Sequence, residues 1–124
     1  MNLVVVDGTF TVCKLANDTA VPAWAAAGDF WSITRTADEV SVVCRQAAVP
    51  EGVRCERDWR CLRVAGTIPF SAVGVLASLA APLAKAGISV FTVSTFDTDY
   101  LFVKEKDWEA AASALRRRGH TFQP

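Results

Sequence analysis

Apolar residues in this chain follow two spacings. In the first half they form short runs and alternations that predict strands. Leu3 to Val6 and Thr9 to Leu15 are apolar-rich and meet at Asp7-Gly8, a dipeptide that favours a tight hairpin turn. Ala16 to Ala20 is polar and reads as a loop. Pro22 and Gly28 bracket a short helical piece over Ala23 to Ala27, since proline suits a first helical position and glycine a last one. Phe30 to Thr36 and Val40 to Arg45 form a second hairpin, in which Trp31 and Ile33, then Val40, Val42 and Cys44, alternate with more polar residues. Gln46 to Arg54 reads as a loop or one helical turn, and it is where a domain boundary is expected.

The second half changes period. Trp59 to Val64 alternates as a strand. Val75, Leu76, Leu79 and Leu83 then recur at helical spacing over Ala72 to Ala86, with Ser71 as the expected N-cap and Gly87 as the stop. Pro82 falls inside this helix and lacks the amide that would bond Ser78, so a bend is expected. Ile88 to Ser94 and Tyr100 to Val103 are strands. A final helix follows Asp107, with Trp108, Ala111, Ala112 and Leu115 on one face. Gly119 ends it, and His120-Thr121-Phe122 is a short last strand. The order is β-α-β-β-α-β, the ferredoxin-like topology with an antiparallel sheet and both helices on one face. The strand from Ile88 is apolar on both sides, so its second face should also be covered.

The two halves resemble each other. Thr36-Ala37-Asp38-Glu39-Val40 lies in step with Thr95-Phe96-Asp97-Thr98-Asp99, each a turn followed by an apolar strand. The expected fold is therefore α+β, with two ferredoxin-like subdomains: an abbreviated one over 1–58 and a complete one over 59–124.

Composition narrows the function. In 124 residues, thirteen basic and thirteen acidic side chains balance, which argues against a nucleic-acid partner. Arg116-Arg117-Arg118 is the local exception, and cations there complement a helix C-terminus. No apolar run is long enough to span a membrane. The first residues lack the pattern of a secretory leader, so a cytoplasmic protein is expected. Cys13, Cys44, Cys55 and Cys61 could make two disulfides by count. Without a leader they read as reduced thiols, and no spacing resembles a zinc site. No cofactor is expected. His120 has no serine or cysteine motif near it in sequence, and no catalytic set is visible.

One stretch carries chemistry. The Gly-containing loop before the helix presents amides without internal partners at the positive end of the helix dipole. The turn Thr95 to Asp99 presents two carboxylates. Side by side, these would make a site with one positive and one negative end, and a free amino acid carries the matching charges. Read from the residues alone, a helix-packing role for Gly74 and a turn role for Asp99 are favoured.

Gly74-Val75-Leu76 with Leu79, Pro82-Leu83-Ala84, Gly87-Ile88-Ser89 and above all Ser94-Thr95-Phe96-Asp97-Thr98-Asp99-Tyr100 resemble a small ACT domain. The likeness is to tandem ACT-domain amino-acid-binding proteins, which include the CASTOR-type arginine sensors and many small bacterial proteins. Ala23-Trp24, Phe30 to Thr34 and Val42-Val43-Cys44 extend it over the first half. The resemblance implies ligand sites near the loop that opens the first helix. It carries over Phe70, Ser71, Gly74 and Val75 at the loop and helix start, and Thr95, Phe96 and Asp99 at the hairpin wall. Where the arginine sensors carry an acidic residue before the helix glycine, this chain has Ala72-Val73, which points to smaller or neutral amino acids. The partners implied are a free amino acid, a second copy in a homodimer and a regulated protein of unknown identity.

Two other classes compete. Acylphosphatase shares the topology, and Val64 to Phe70 resembles its strand-loop-helix entry. That chemistry needs an arginine in the loop, and here Arg63 precedes it on the strand. A pure interaction module with a degenerate ligand site is the other alternative.

Overall fold

The computed structural model describes residues 1–124. The chain divides into two compact units, Gly8–Trp59 and Met1–Asp7 with Arg60–Pro124. These bounds differ from 1–58 and 59–124, because the first strand is continuous and its opening residues belong with the second half. Two long strands, β1 (Asn2–Leu15) and β4 (Arg54–Val64), each belong partly to both units.

The Asp7-Gly8 hairpin does not form. Gly8 takes the positive φ that its sequence context suggests, +104°, yet the chain runs straight on as β1. A Cβ at Gly8 would fall 2.1 Å from a guanidinium nitrogen of Arg45. Gly8 therefore makes room for that side chain instead of reversing the strand. Arg45 in turn lies over the Phe10 ring at 5.4 Å and grips the Asp29 carboxylate through Nε and Nη2 at 3.2 and 2.8 Å.

In the unit Gly8–Trp59 the strand order is β2 (Trp31–Arg35), β3 (Val40–Arg45), β1, β4. β2 and β3 form the expected antiparallel hairpin, and β3 also pairs antiparallel with β1. Helix is represented only by 3₁₀ turns at Ala23–Ala26 and Gln46–Ala48. Cys13, Ala25, Val40, Val42 and Cys44 form the core, with Trp24, Ile33 and Cys55 packed against it. All four cysteines are free thiols, and Cys13 Sγ lies 2.9 Å from Cys55 Sγ. Burial first, then the Cys55 contact, pushes the Cys13 thiol up to about 12. β4 begins five residues earlier than its apolar alternation suggests. Within it Asp58 adopts φ +68°, held by Gln46, whose Oε1 accepts from Asp58 N and whose Nε2 donates to the Asp58 carboxylate.

The second unit follows β4 with α1 (Val75–Lys85), β5 (Val90–Ser94), β6 (Asp99–Lys104), α2 (Trp108–Arg117) and β7 (Thr121–Phe122). This is the ferredoxin-like order with one addition. The start of β1 lies between β4 and β7, pairing parallel with β7, so the order is β7-β1-β4-β6-β5. Leu3 from that segment is fully buried in a core with Leu62, Leu79, Leu83, Leu101 and Leu115. Leu101 and Val103 of β6 join this core. Phe102 between them is also buried and stacks on Phe91 of β5 at 4.5 Å, so both faces of β6 are covered.

Both helices end alike. Gly87 and Gly119 take φ of +74° and +89°. Gly87 N donates to Ala84 O and Ile88 N to Leu83 O, while Gly119 N donates to Arg116 O and His120 N to Leu115 O. This is the Schellman arrangement, which satisfies the last carbonyls. The start of α1 differs from expectation. Its cap is Gly74 in the left-handed region, not Ser71, and its first helical bond is Ser78 N to Gly74 O. Residues 69–72 form a separate turn, closed by Ala72 N to Pro69 O. The carbonyl freed by Pro82 finds another donor: His120 Nε2 lies 3.1 Å from Ser78 O, and His120 Nδ1 lies 2.9 Å from the Met1 nitrogen. A carbonyl only accepts, so Nε2 carries the hydrogen and Nδ1 is the acceptor.

The two hairpins are built in the same way. Thr36 N donates to Glu39 O and Thr95 N to Thr98 O. In each turn the threonine Oγ1 accepts from the amide three residues on, at 3.2 Å in both. Arg35 pairs with Val40, and Ser94 with Asp99, in equivalent registers.

Candidate functional site

The loop from Ala65 to Gly74 leaves β4 and reaches the start of α1 beside the β5–β6 turn. Two bonds tie loop and strand end to turn. Ile68 N donates to Asp97 O at 2.6 Å, and Thr98 Oγ1 donates to Val64 O at 2.8 Å. Thr98 is buried, so its hydroxyl fixes the turn against β4 from inside. Between loop and turn lies an open cavity of about 340 Å³.

Six of the seven residues expected at a site line this cavity: Phe70, Gly74 and Val75 from the loop and helix start, and Thr95, Phe96 and Asp99 from the hairpin. Ser71 does not. It lies exposed in the turn that precedes the true cap. Asp97, the other carboxylate expected in the turn, also lines it, and Ile68, Pro69, Ala72, Leu76, Ser94 and Thr98, none of them among the seven expected site residues, complete the wall. Ser94 had a readable signal, because it stands opposite Asp99 across the hairpin. Its Oγ donates to Asp99 Oδ1 at 2.5 Å, which orients the carboxylate.

The electrostatics are two-ended. Gly74 supplies no side-chain cap, and the first turn of α1 carries no acidic residue. Its opening amides therefore keep the partial positive charge of a helix start with no carboxylate on the same turn to offset it. Asp97 and Asp99 stand on the hairpin side, and no lysine or arginine lines the cavity. An ionised carboxylate accepts several hydrogen bonds, so Asp99 keeps capacity beyond the one from Ser94. Phe70 and Phe96 meet edge to face at 5.0 Å and are 77% and 79% exposed, forming an aromatic rim. Such an arrangement can hold a small molecule with an anionic group, a cationic group and a modest side chain. No group of three or more His, Cys, Asp or Glu is placed to hold a metal. No helix is long and apolar enough to cross a membrane.

The chain is similar to several known proteins. A family model described as "ACT domain" matches residues 54–117, and another, described only as an N-terminal domain, matches 8–52. Over 61 residues the chain is 38% identical to the human cytosolic arginine sensor for mTORC1 subunit 1; the match spans 48% of this chain and 18% of that protein. A crystal structure of an Agobacterium tumefaciens protein superposes with a TM-score of 0.93 at 39% identity, covering 98% of this chain and 91% of the other. The regulatory subunit of aspartate kinase from Thermus flavus shares the fold, with a TM-score of 0.66 at 13% identity over 95% and 97% of the two chains.

Proposed function

This chain belongs to the ACT-domain family, and we propose that it is a non-catalytic module of the cytoplasm that binds a free amino acid and passes that binding on as regulation. The observation that carries the reading is the two-ended cavity. The amides at the start of α1 would take the ligand carboxylate, and Asp99 its ammonium, with Ser94 holding Asp99 in place. One relative it matches is an arginine sensor, and one structure that shares its fold is the regulatory subunit of aspartate kinase. The match covers 18% of the arginine sensor's length, too little to carry its specificity to this chain. Ala72 and Val73 before the helix cap add no charge for a cationic side chain, which favours a small or neutral amino acid.

Charge-assisted hydrogen bonds contribute about 1.5–3 kcal/mol each. Two or three of them suit micromolar to millimolar affinity once ordering costs are deducted. The matched turns support an internal duplication, a tandem arrangement in which Val40, fully buried, stands where the second copy has Asp99. On this reading only the second copy keeps a carboxylate at this position for a ligand. Calorimetric titration tests it: Asp99→Ala should weaken amino-acid binding about tenfold or more while leaving the fold intact. Unchanged affinity would remove Asp99 from the site.

One observation favours a second reading. Phe70, Val73 and Phe96 are 77%, 95% and 79% exposed, the most exposed of the large apolar side chains, and they lie in one loop and the turn beside it. A protein partner, or a second copy in a homodimer, could cover them. Co-purification of a regulated protein without any amino-acid binding would support this module over the sensor.

A further inference from the structure

A second concavity lies away from the loop and hairpin, at the C-terminal ends of the two helices. It encloses about 250 Å³ and is lined by Pro82, Lys85 and Ala86 from α1 and by Ala114, Arg117 and Arg118 from the end of α2. The run Arg116-Arg117-Arg118 reads from sequence as a complement to one helix dipole. The structure adds Lys85 from the other helix and separates Arg116, whose guanidinium lies over the Phe122 ring at 4.9 Å. Three cations thus converge on one small groove. No carboxylate lines it, and none of the three cations is in an ion pair.

The helix ends do not account for this charge. Each helix C-terminus carries roughly half a negative charge. Two ends offset about one of the three positive charges, leaving an excess of about two. The terminal carbonyls are already bonded by the Schellman amides, so they do not draw the cations inward as hydrogen-bond acceptors. Arg117 Nη1 donates to Ser113 Oγ at 3.0 Å, which fixes the stem and leaves other guanidinium donors for a ligand.

We propose that this groove binds a small phosphate-bearing anion. A phosphate monoester carries close to two negative charges and three strong acceptor oxygens. That charge matches the excess in the groove, and paired guanidinium forks with one ammonium suit phosphate geometry. A single carboxylate would leave about one positive charge unmatched. The groove shares no lining residue with the loop–hairpin cavity, so the proposal stands or falls independently of the amino-acid reading.

The test is an NMR titration of the full chain with inorganic phosphate at low ionic strength. Saturable shifts at Lys85, Ala86, Arg117 and Arg118 are expected, weakened by added sodium chloride as the Debye length contracts. Arg117→Gln combined with Arg118→Gln should weaken binding about tenfold or more. Arg116→Gln removes the same kind of charge outside the groove and should leave binding within a factor of about two. The proposal is overturned if wild-type shifts do not saturate, or if the double variant binds as well. Equal loss in Arg116→Gln would also overturn it, by reducing the effect to net charge. Malonate, a dianion without phosphorus, separates the ligand classes: weaker binding supports the phosphate assignment, and equal binding overturns it.

Discussion

Pro82 and His120 should be energetically coupled although neither side chain bonds the other. Proline inside α1 leaves Ser78 O without its helical donor, and His120 Nε2 supplies a replacement at 3.1 Å. Removing His120 leaves that partly buried carbonyl with water alone, and it also loses the Nδ1 contact to Met1. A net hydrogen bond is worth about 0.5–1.5 kcal/mol, and an unsatisfied buried acceptor costs about 1–3 kcal/mol. His120 is itself nearly buried, so His120→Ala should cost about 2–3 kcal/mol in the natural background. Pro82→Ala restores an amide at position 82, in line for Ser78 O. In that background His120→Ala should cost about 1 kcal/mol less, because the carbonyl now has a helical partner. Urea denaturation of the four proteins of this double-mutant cycle measures the coupling. Costs of His120→Ala that agree within about 0.3 kcal/mol in the two backgrounds would refute the reasoning, since independent sites add to that precision.

Three further outcomes follow from the packing and the titrating groups. Leu79 is fully buried in the core beneath the site, so Leu79→Ala should destabilise by about 2–5 kcal/mol in chemical denaturation. Gly8→Ala forces a side chain into the left-handed region and against Arg45, and should cost about 1–3 kcal/mol by thermal unfolding. Burial pushes the Cys61 thiol from 9.0 up to about 12. The folded state therefore holds the proton that the unfolded chain gives up first. Its contribution is complete below pH 9 and is lost as pH rises toward about 12. The urea midpoint should fall across that window, and less steeply in Cys61→Ala.

Most of the fold was legible because its signals are local. The hairpin from Trp31 to Arg45, the helices and their glycine stops all follow from alternation, helical spacing and turn residues within a few positions of each other. The misreadings share a physical cause in contacts distant along the chain. Asp7-Gly8 looks like a turn until Arg45, far along the chain, claims the space at Gly8. The polar opening of β4 does not look like a strand, because Asp58 needs Gln46 to hold its backbone. Ser71 precedes an apolar helical pattern and so reads as a cap. The chain instead spends three more residues in a loop pinned to the hairpin turn through Ile68 and Asp97. At the site, the charged and glycine positions carry a chemical signature in sequence. The wall residues Ile68 and Pro69 carry none and become visible only when the loop is placed.

The most direct test of the amino-acid reading is the thermal stability of the full chain against each of the twenty amino acids, repeated with Asp99→Ala. A ligand that binds only the folded state adds about 2.7 kcal/mol at a hundred times its dissociation constant. The account predicts a clear upward shift with one or a few small or neutral amino acids, lost in Asp99→Ala. No shift with any of the twenty, or a shift that Asp99→Ala leaves intact, would contradict it.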